Sequence, residues 1–460
     1  MPGRSWLGQV GALASRGRSA LDRGATGRRM DGLEALCRRL LAQRGEAASV
    51  ALAGEILDAI GACDRLETAS FLGLLSRAFD PERARVDAAI AAWREGSTPE
   101  RLQALILAVE PPRQELFRRL NQAAGGTRAI VDLRATLLDL LADDPSLENV
   151  DADLRHLLGS WFNRGFLHLE EIGWHTPADV LERLIRYEAV HEIRGWDDLR
   201  RRLAADRRCY AFFHPALPGE PIIFVEVALT RGLAGHIGPL LDPRREVADA
   251  RKADTAIFYS ISNCQRGLRG ISFGDLLIKQ VVAELSRQLP SLERFATLSP
   301  LPGFAAALAR HDDPAGFTDA RIGALAEGEA DDLRRLSGKP DVVEACLALA
   351  ARPGAHAEPV GRVLERLALA YLMHVRRGSR AVDPVAHFHL SNGARLERIA
   401  VDADPSPRGA ASCGVMVNYL YEPDQLDANH ERYVEGGRLT VGRHLGGLAR
   451  RVGAAWSRSP

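Results

Sequence analysis

The chain has 460 residues, 46% hydrophobic and 26% charged, with 60 basic against 60 acidic side chains. That length supports two or three domains with a well-buried core, and a formal net charge of zero excludes the basic surplus that nucleic-acid binding demands. No apolar run reaches the roughly 18 residues needed to span a membrane, and six scattered cysteines without CxxC spacing fit a reducing compartment, not a zinc site or a disulfide framework.

Arginine supplies nearly all the positive charge; Lys252, Lys279 and Lys339 are the only lysines. Together with the abundant alanine this reads as codon bias, so arginine alone carries little functional weight. The first 29 residues hold Arg4, Arg16, Arg18, Arg23, Arg28 and Arg29 against Asp22. That composition is shared with mitochondrial transit peptides; the reading taken is a frayed N-terminus of a cytoplasmic protein.

Residues 30–187 read as an N-terminal helical bundle. "DGLEALCRRLLAQ" and "ASVALAGEILDAIGAC" repeat apolar residues every three or four positions. In "STPERLQALILAV" Thr98 is an N-cap, Pro99 the first helical residue and Glu100 a first-turn acid. "HTPADVLERLIRYEAV" repeats the device with Thr176, Pro177 and Asp179. No strand pattern is evident in this half.

From residue 188 to 460 the character changes to a mixed strand and helix domain. "RCYAFFHP" and "PIIFVEVALT", joined by "ALPGE", predict a hairpin. "TAIFYSIS" is a further strand, "GDLLIKQVVAELSRQLP" an amphipathic helix, and "RFATLSPLPGF" a strand entering a proline turn. Residues 303–380 are mostly helical, and the acidic "EGEADD" at 327–332 reads as a solvated face. "DPVAHFHLSNGARLERIAV" and "CGVMVNYLYEP" close the chain with strand character. The fold class is α+β: a helical bundle followed by a mixed-sheet domain.

Between the "TAIFYSIS" strand and the following helix lies "RGISFGDLL", with Arg269, Gly270, Ser272 and Gly274. A helix N-terminus presents unpaired N–H groups and the positive end of a dipole, and glycines admit a phosphate close to the backbone. Taken alone, the stretch reads either as a phosphate cradle or as an ordinary connection.

The neighbouring stretches add a resemblance. "RGISFGDLL" is similar to the acyl-CoA-binding loop of the GNAT acetyltransferase-like fold, with Ser272 where a glycine is usual. "YEAVHEI", "HPALPGEPIIFVEVALT", "AIFYSIS", "TLSPLPGF", "HFHLSNGA" and "SCGVMVNYLYEP", in this order, resemble malonyl-CoA decarboxylases. The motifs run from about residue 187 to 423, and the helical half resembles the family by architecture alone. The resemblance implies a helical domain (30–187) used in association and a GNAT-like catalytic domain (188–460). It implies conversion of malonyl-CoA to acetyl-CoA and carbon dioxide without metal or organic cofactor. It places the catalytic serine at Ser299 and the catalytic histidine at His389, and the CoA contacts at Arg269, Gly270, Ser272 and Gly274. It implies a homo-oligomer through the helical domain, while the neutral charge and the lack of a long apolar run already argue against a nucleic-acid or membrane partner.

The chemistry asks for three things: a carboxylate turned out of the thioester plane, donors facing the developing enolate oxygen, and a proton for the α-carbon. The thioester is itself the electron sink. On the residues alone, a serine before proline is commonly a turn residue, and a histidine in a strand is commonly structural. His387 and His389 share a face if the segment is a strand. A histidine titrating near neutrality suits the proton transfer. Asn418 and Tyr419 are candidate supporting donors or core hydrogen-bonding groups, and His214 is structural or at a cleft edge. Two other functions remain open: a GNAT-type N-acyltransferase using the same CoA cleft, and a non-catalytic CoA-binding assembly protein.

Overall fold

The computed structural model describes residues 26–271, 276–352, 354 and 356–458, with only the backbone of Leu276 and Leu277. The arginine-rich N-terminus up to residue 25, and Ser272 and Gly274 of the glycine turn, lie outside the described residues. The chain divides into two compact units: one runs to Leu167 and takes in residues 213–220 and 265–271, and the other holds the rest.

The first unit is helical. Its helices are α1 (26–42), α2 (Glu46–Gly61), α3 (Arg65–Ala78), α4 (Arg83–Glu95), α5 (Pro99–Val109), α6 (Pro112–Leu120), α7 (Gly126–Leu140) and α8 (Glu148–Trp161). Asp64 and Glu67 form a capping box that starts α3, each side chain accepting the other's backbone N–H. Thr98 caps α5 as its sequence predicts, accepting the Arg101 N–H. The apolar stripes meet in a core that includes Leu40, Ile56, Phe71, Leu75, Phe117, Leu120 and Leu154. His214 belongs to this unit, bonded to the Trp161 carbonyl at 3.0 Å and set against the Phe162 ring.

The unbroken N-terminal stretch of this unit runs to Leu167, and His168–Ile172 then forms strand β1 at the edge of the sheet. "HLEEI" is short, polar and mostly exposed, so it lacks the β-branched run that marks an inner strand. The second capping device also differs from its prediction. Thr176 accepts the Gly173 N–H instead of capping, and α9 (Ala178–Tyr187) starts after Pro177.

The second unit is built on a mixed sheet. Its strands are β1, β2 (Arg207–Phe213), β3 (Pro221–Thr230), β4 (Thr255–Asn263), β5 (Arg294–Thr297), β6 (Ser299–Pro300), β9 (Arg395–Ala400) and β10 (Met416–Tyr421); β7 (Arg376–Arg377) and β8 (Arg380–Ala381) form a separate ribbon. The order is β1-β2-β3-β4-β5-β10-β6, with β9 also paired to β10. β4 and β5 are parallel from Thr255↔Arg294 to Phe258↔Thr297. Beyond Phe258, β4 continues to Asn263 against β3 alone. The parallel pairing of β4 with β5 therefore covers only the first part of β4. β5 and β6 both run antiparallel to β10, with Ala296 opposite Leu420 and Ser299 opposite Val417.

Around the sheet lie α10 (Trp196–Arg202), α11 (Gly238–Leu241), α12 (Leu276–Gln288), α13 (Phe304–Ala309), α14 (Asp319–Ala326), α15 (Ala330–Ser337), α16 (Val342–Ala350), α17 (Glu358–His374), α18 (Pro384–Ser391), α19 (Leu426–Gly436) and α20 (Gly446–Arg458). The acidic run at 327–332 is not wholly solvated: Glu329 is buried and pairs with Arg362 at 3.0 Å and with Arg366.

α18 corrects the largest misreading. "PVAHFHLS" is a helix, not a strand. Asp383 accepts the N–H groups of Val385 and Ala386, Pro384 occupies the first turn, and Gly393 follows at φ 81°, a left-handed stop. Two residues apart on a helix are on different faces, so His387 and His389 part company. His387 bonds the Tyr433 hydroxyl at 3.0 Å, while His389 turns to the sheet.

Candidate active site

Side chains alternate along a strand. Ala296 and Leu298 enter a cluster with Ile257, Tyr259, Met416 and Leu420 on one face of the sheet. Thr297 and Ser299 accordingly project to the other face, where α18 lies. Pro300 follows Ser299, the Leu301 N–H donates to Ser412 Oγ at 2.9 Å, and the Gly303 N–H donates to Asp383 Oδ2 at 3.2 Å. Asp383 thus caps the histidine's helix with one oxygen and holds the turn after the serine with the other.

Ser299 Oγ stands 3.0 Å from His389 Nε2. The Tyr421 hydroxyl stands 2.7 Å from His389 Nδ1. The Tyr419 ring stacks on the imidazole, with centroids 4.7 Å apart and planes at 25°. His389 is 2% exposed and Ser299 7%. Burial pulls the His389 imidazolium down to about 3, so the ring is neutral near pH 7. That departs from the near-neutral titration its chemistry suggested. A neutral ring has one N–H donor and one acceptor nitrogen. Ser299, His389 and Tyr421 therefore form a short line of hydroxyl, imidazole and hydroxyl along which a proton can move.

Sequence reading missed Tyr421. The signal was present: Tyr419 and Tyr421 are two apart in a strand and share the face that meets His389. Burial raises the Tyr419 hydroxyl well above its ordinary value, and that hydroxyl has no hydrogen-bond partner among the described residues. It is a neutral donor beside the histidine. The Asn418 amide nitrogen donates to the carbonyls of Thr297 at 2.6 Å and Ala234 at 3.1 Å. Arg269 and Gly270 lie exposed in the turn that follows the short helical turn Arg266–Leu268, with Gly270 at φ 78°.

This buried serine and histidine sit in the part of the chain where a family profile described as Malonyl-CoA decarboxylase C-terminal domain matches residues 165–457. The chain belongs to the malonyl-CoA decarboxylase family. The profile of that family's N-terminal domain matches residues 79–162. Among curated relatives, the mitochondrial malonyl-CoA decarboxylase of Anser anser anser is 37% identical over 385 residues, 80% of this chain and 76% of the relative. That of Rattus norvegicus is 33% identical over 393 residues, 81% of this chain and 80% of the relative. The crystal structure of malonyl-CoA decarboxylase from Rhodopseudomonas palustris superimposes with a TM-score of 0.81 at 46% identity, covering 92% of this chain and 99% of that one. The structure from Cupriavidus metallidurans gives 0.71 at 38% identity, with 92% and 99% covered. Among the described residues no helix is long and apolar enough to cross a membrane.

Proposed function

We propose that this chain decarboxylates malonyl-CoA to acetyl-CoA and carbon dioxide at the Ser299–His389 pair. The observation that carries the assignment to this site is the buried 3.0 Å contact between the two side chains, backed by Tyr421. In the direct route the bond from the α-carbon to the carboxylate breaks, its electron pair enters the thioester carbonyl, and carbon dioxide leaves. Ser299 and Tyr419 supply hydrogen bonds to the carbonyl oxygen as it becomes an enolate. The enolate carbon then takes one proton from the neutral His389 and Ser299 line; Tyr421 re-supplies the ring, and water restores the balance. Each donor removed from an oxyanion of this kind costs ~2.7–4 kcal/mol of transition-state stabilisation.

A second route fits the same contact in the other tautomer: with the ring proton on Nδ1 facing Tyr421, Nε2 accepts from the Ser299 hydroxyl, which is the arrangement of an activated nucleophile. In it Ser299 takes the malonyl group as an acyl-enzyme before decarboxylation. The first route is preferred, since the CoA thioester is already a good electron sink.

Arg269 and the glycine turn are assigned to the CoA pyrophosphate. The helical unit is assigned to self-association, and exposed Leu102, Ile106, Leu107 and Val109 on α5 supply an apolar face for it. A cytoplasmic location is proposed; the six free cysteine thiols support a reducing compartment.

The test is purified, chelator-treated protein with malonyl-CoA, read by mass spectrometry for acetyl-CoA. Acetyl-CoA without an added amine acceptor separates decarboxylation from N-acyl transfer. Binding without turnover would support an assembly role instead.

A further inference from the structure

We propose that Arg134, on α7 of the helical unit, is a positioning residue for the CoA-binding turn, so that the helical unit serves substrate binding as well as association. This rests on the reading of Arg269 and its turn as a CoA contact. Arg134 is 1% exposed, as buried as the leucines around it. A buried guanidinium is costly unless its donors are matched, and an apolar side chain of similar size often packs as well. Here Nε donates to Asp151 at 2.8 Å, and Nη1 donates to the carbonyls of Gly267 at 2.6 Å and Arg269 at 2.9 Å. The planar fork of arginine suits three fixed acceptors in a way that a lysine cannot match. Two of the three are backbone carbonyls of one turn.

The same helix touches that turn twice more. A Cβ on Gly267 would lie 1.8 Å from the Val131 carbonyl oxygen, so the two backbones are in direct contact. At the far end of α7, Asp139 pairs with Arg266. Val131 and Arg134 are three apart and Asp139 lies about a turn further on, so α7 meets the turn along one side. Within a trans peptide the N–H points opposite to the C=O. Holding the Arg269 carbonyl against Arg134 therefore turns the Gly270 N–H away from α7. It also fixes the point from which the exposed Arg269 side chain reaches out.

The experiment compares Arg134→Lys, Arg134→Gln and Gly267→Ala in the full chain, with Arg269→Ala as the control on the underlying reading. Folding is verified by circular dichroism, and CoA affinity is measured by calorimetry alongside steady-state kinetics. A turn displaced by about an ångström loses binding and not chemistry, so the dissociation constant for CoA and the KM for malonyl-CoA should rise about tenfold or more. kcat at saturating substrate should stay within about threefold, with Lys affected less than Gln. A purely structural arginine would lower Tm and leave the affinity of the folded protein untouched. If Arg134→Gln does not fold, Arg134→Lys and Gly267→Ala decide. Parent-like CoA affinity in the folded variants, with Arg269→Ala weakened, overturns the inference and leaves the CoA turn standing. Parent-like affinity in Arg269→Ala removes the CoA turn itself, and the inference with it.

Discussion

The Tyr421 hydroxyl lies 2.7 Å from Nδ1 of His389, on the far side of the ring from Ser299. When the phenol donates to Nδ1, the ring proton resides on Nε2 and faces the serine. Tyr421→Phe frees Nδ1 in a buried site and releases that preference. A positioned acid–base group is worth ~10²–10⁴-fold, and losing only the partner that orients it should cost a part of that, about 10- to 100-fold. The expected outcome is a fall of that size in kcat with little change in KM. An unchanged kcat would place Tyr421 outside the proton line.

Asp383 should be the joint between the two halves of the site. Asp383→Ala removes the acceptor for Val385 and Ala386 and strands the Gly303 N–H. Losing an N-cap of this type costs about 0.5–2 kcal/mol. A lower urea midpoint and a lower kcat should appear together, because the helix carrying His389 and the turn after Ser299 both lose their anchor. Asp383→Asn keeps an acceptor for the cap and should recover most of the stability. If Asp383→Ala unfolds at the parent's midpoint, the joint is not where the geometry puts it.

The strands at 207–213, 221–230, 255–263 and 416–421 were legible because they are runs of aromatic, aliphatic and β-branched residues buried on both faces. α18 was not, because "AHFHL" imitates strand alternation. The deciding signals were local: an aspartate before proline at its start and Asn392–Gly393 after its end. Ser299 and His389 were legible only through the family's motifs. They are 90 residues apart, and nothing in their spacing shows that a helix cap and a proline turn bring them to 3.0 Å. Tyr421 escaped because strand aromatics read as core, which it also is. β1 escaped because an edge strand need not be apolar.

Acid should destabilise the fold. Burial pulls His389 down to about 3 and His191 to about 4. In the unfolded chain each returns to ~6.5. Between the folded and unfolded values the unfolded state binds more protons, so stability falls as pH falls. The contribution is whole above ~6.5 and is lost progressively below it. Urea midpoints should drop between pH 7.5 and 5, and His191→Gln should lessen the slope by up to about 1.4 kcal/mol per pH unit. A parent whose midpoint is flat across that range would contradict the neutral buried rings.

The apolar face of α5 is the proposed contact between copies. α4 and α5 pack mainly on one another, which leaves Leu102 at 42% and Ile106 at 50% exposure one helical turn apart. Leu102→Asp with Ile106→Asp should give a smaller species by light scattering, with the helical content kept. An unchanged mass would move the contact elsewhere.

Ser299→Ala separates the two chemical routes. In the direct route the serine is one donor among several, so its loss costs ~10²–10³-fold in kcat and leaves measurable turnover. His389→Ala should fall further, because it breaks the proton line between Tyr421 and Ser299. Both variants should bind CoA like the parent, since Arg269 and its turn are intact. In the acyl-enzyme route the serine is the bond-forming atom, and Ser299→Ala should have no turnover above background. Rapid quenching of the parent should then trap a malonyl or acetyl adduct on Ser299, visible by mass spectrometry of the digested protein. The expected result is residual turnover in Ser299→Ala and no adduct in the parent. An adduct that forms and decays as fast as acetyl-CoA appears would replace the direct route and keep the decarboxylase. Parent-like rates in both variants would remove the site.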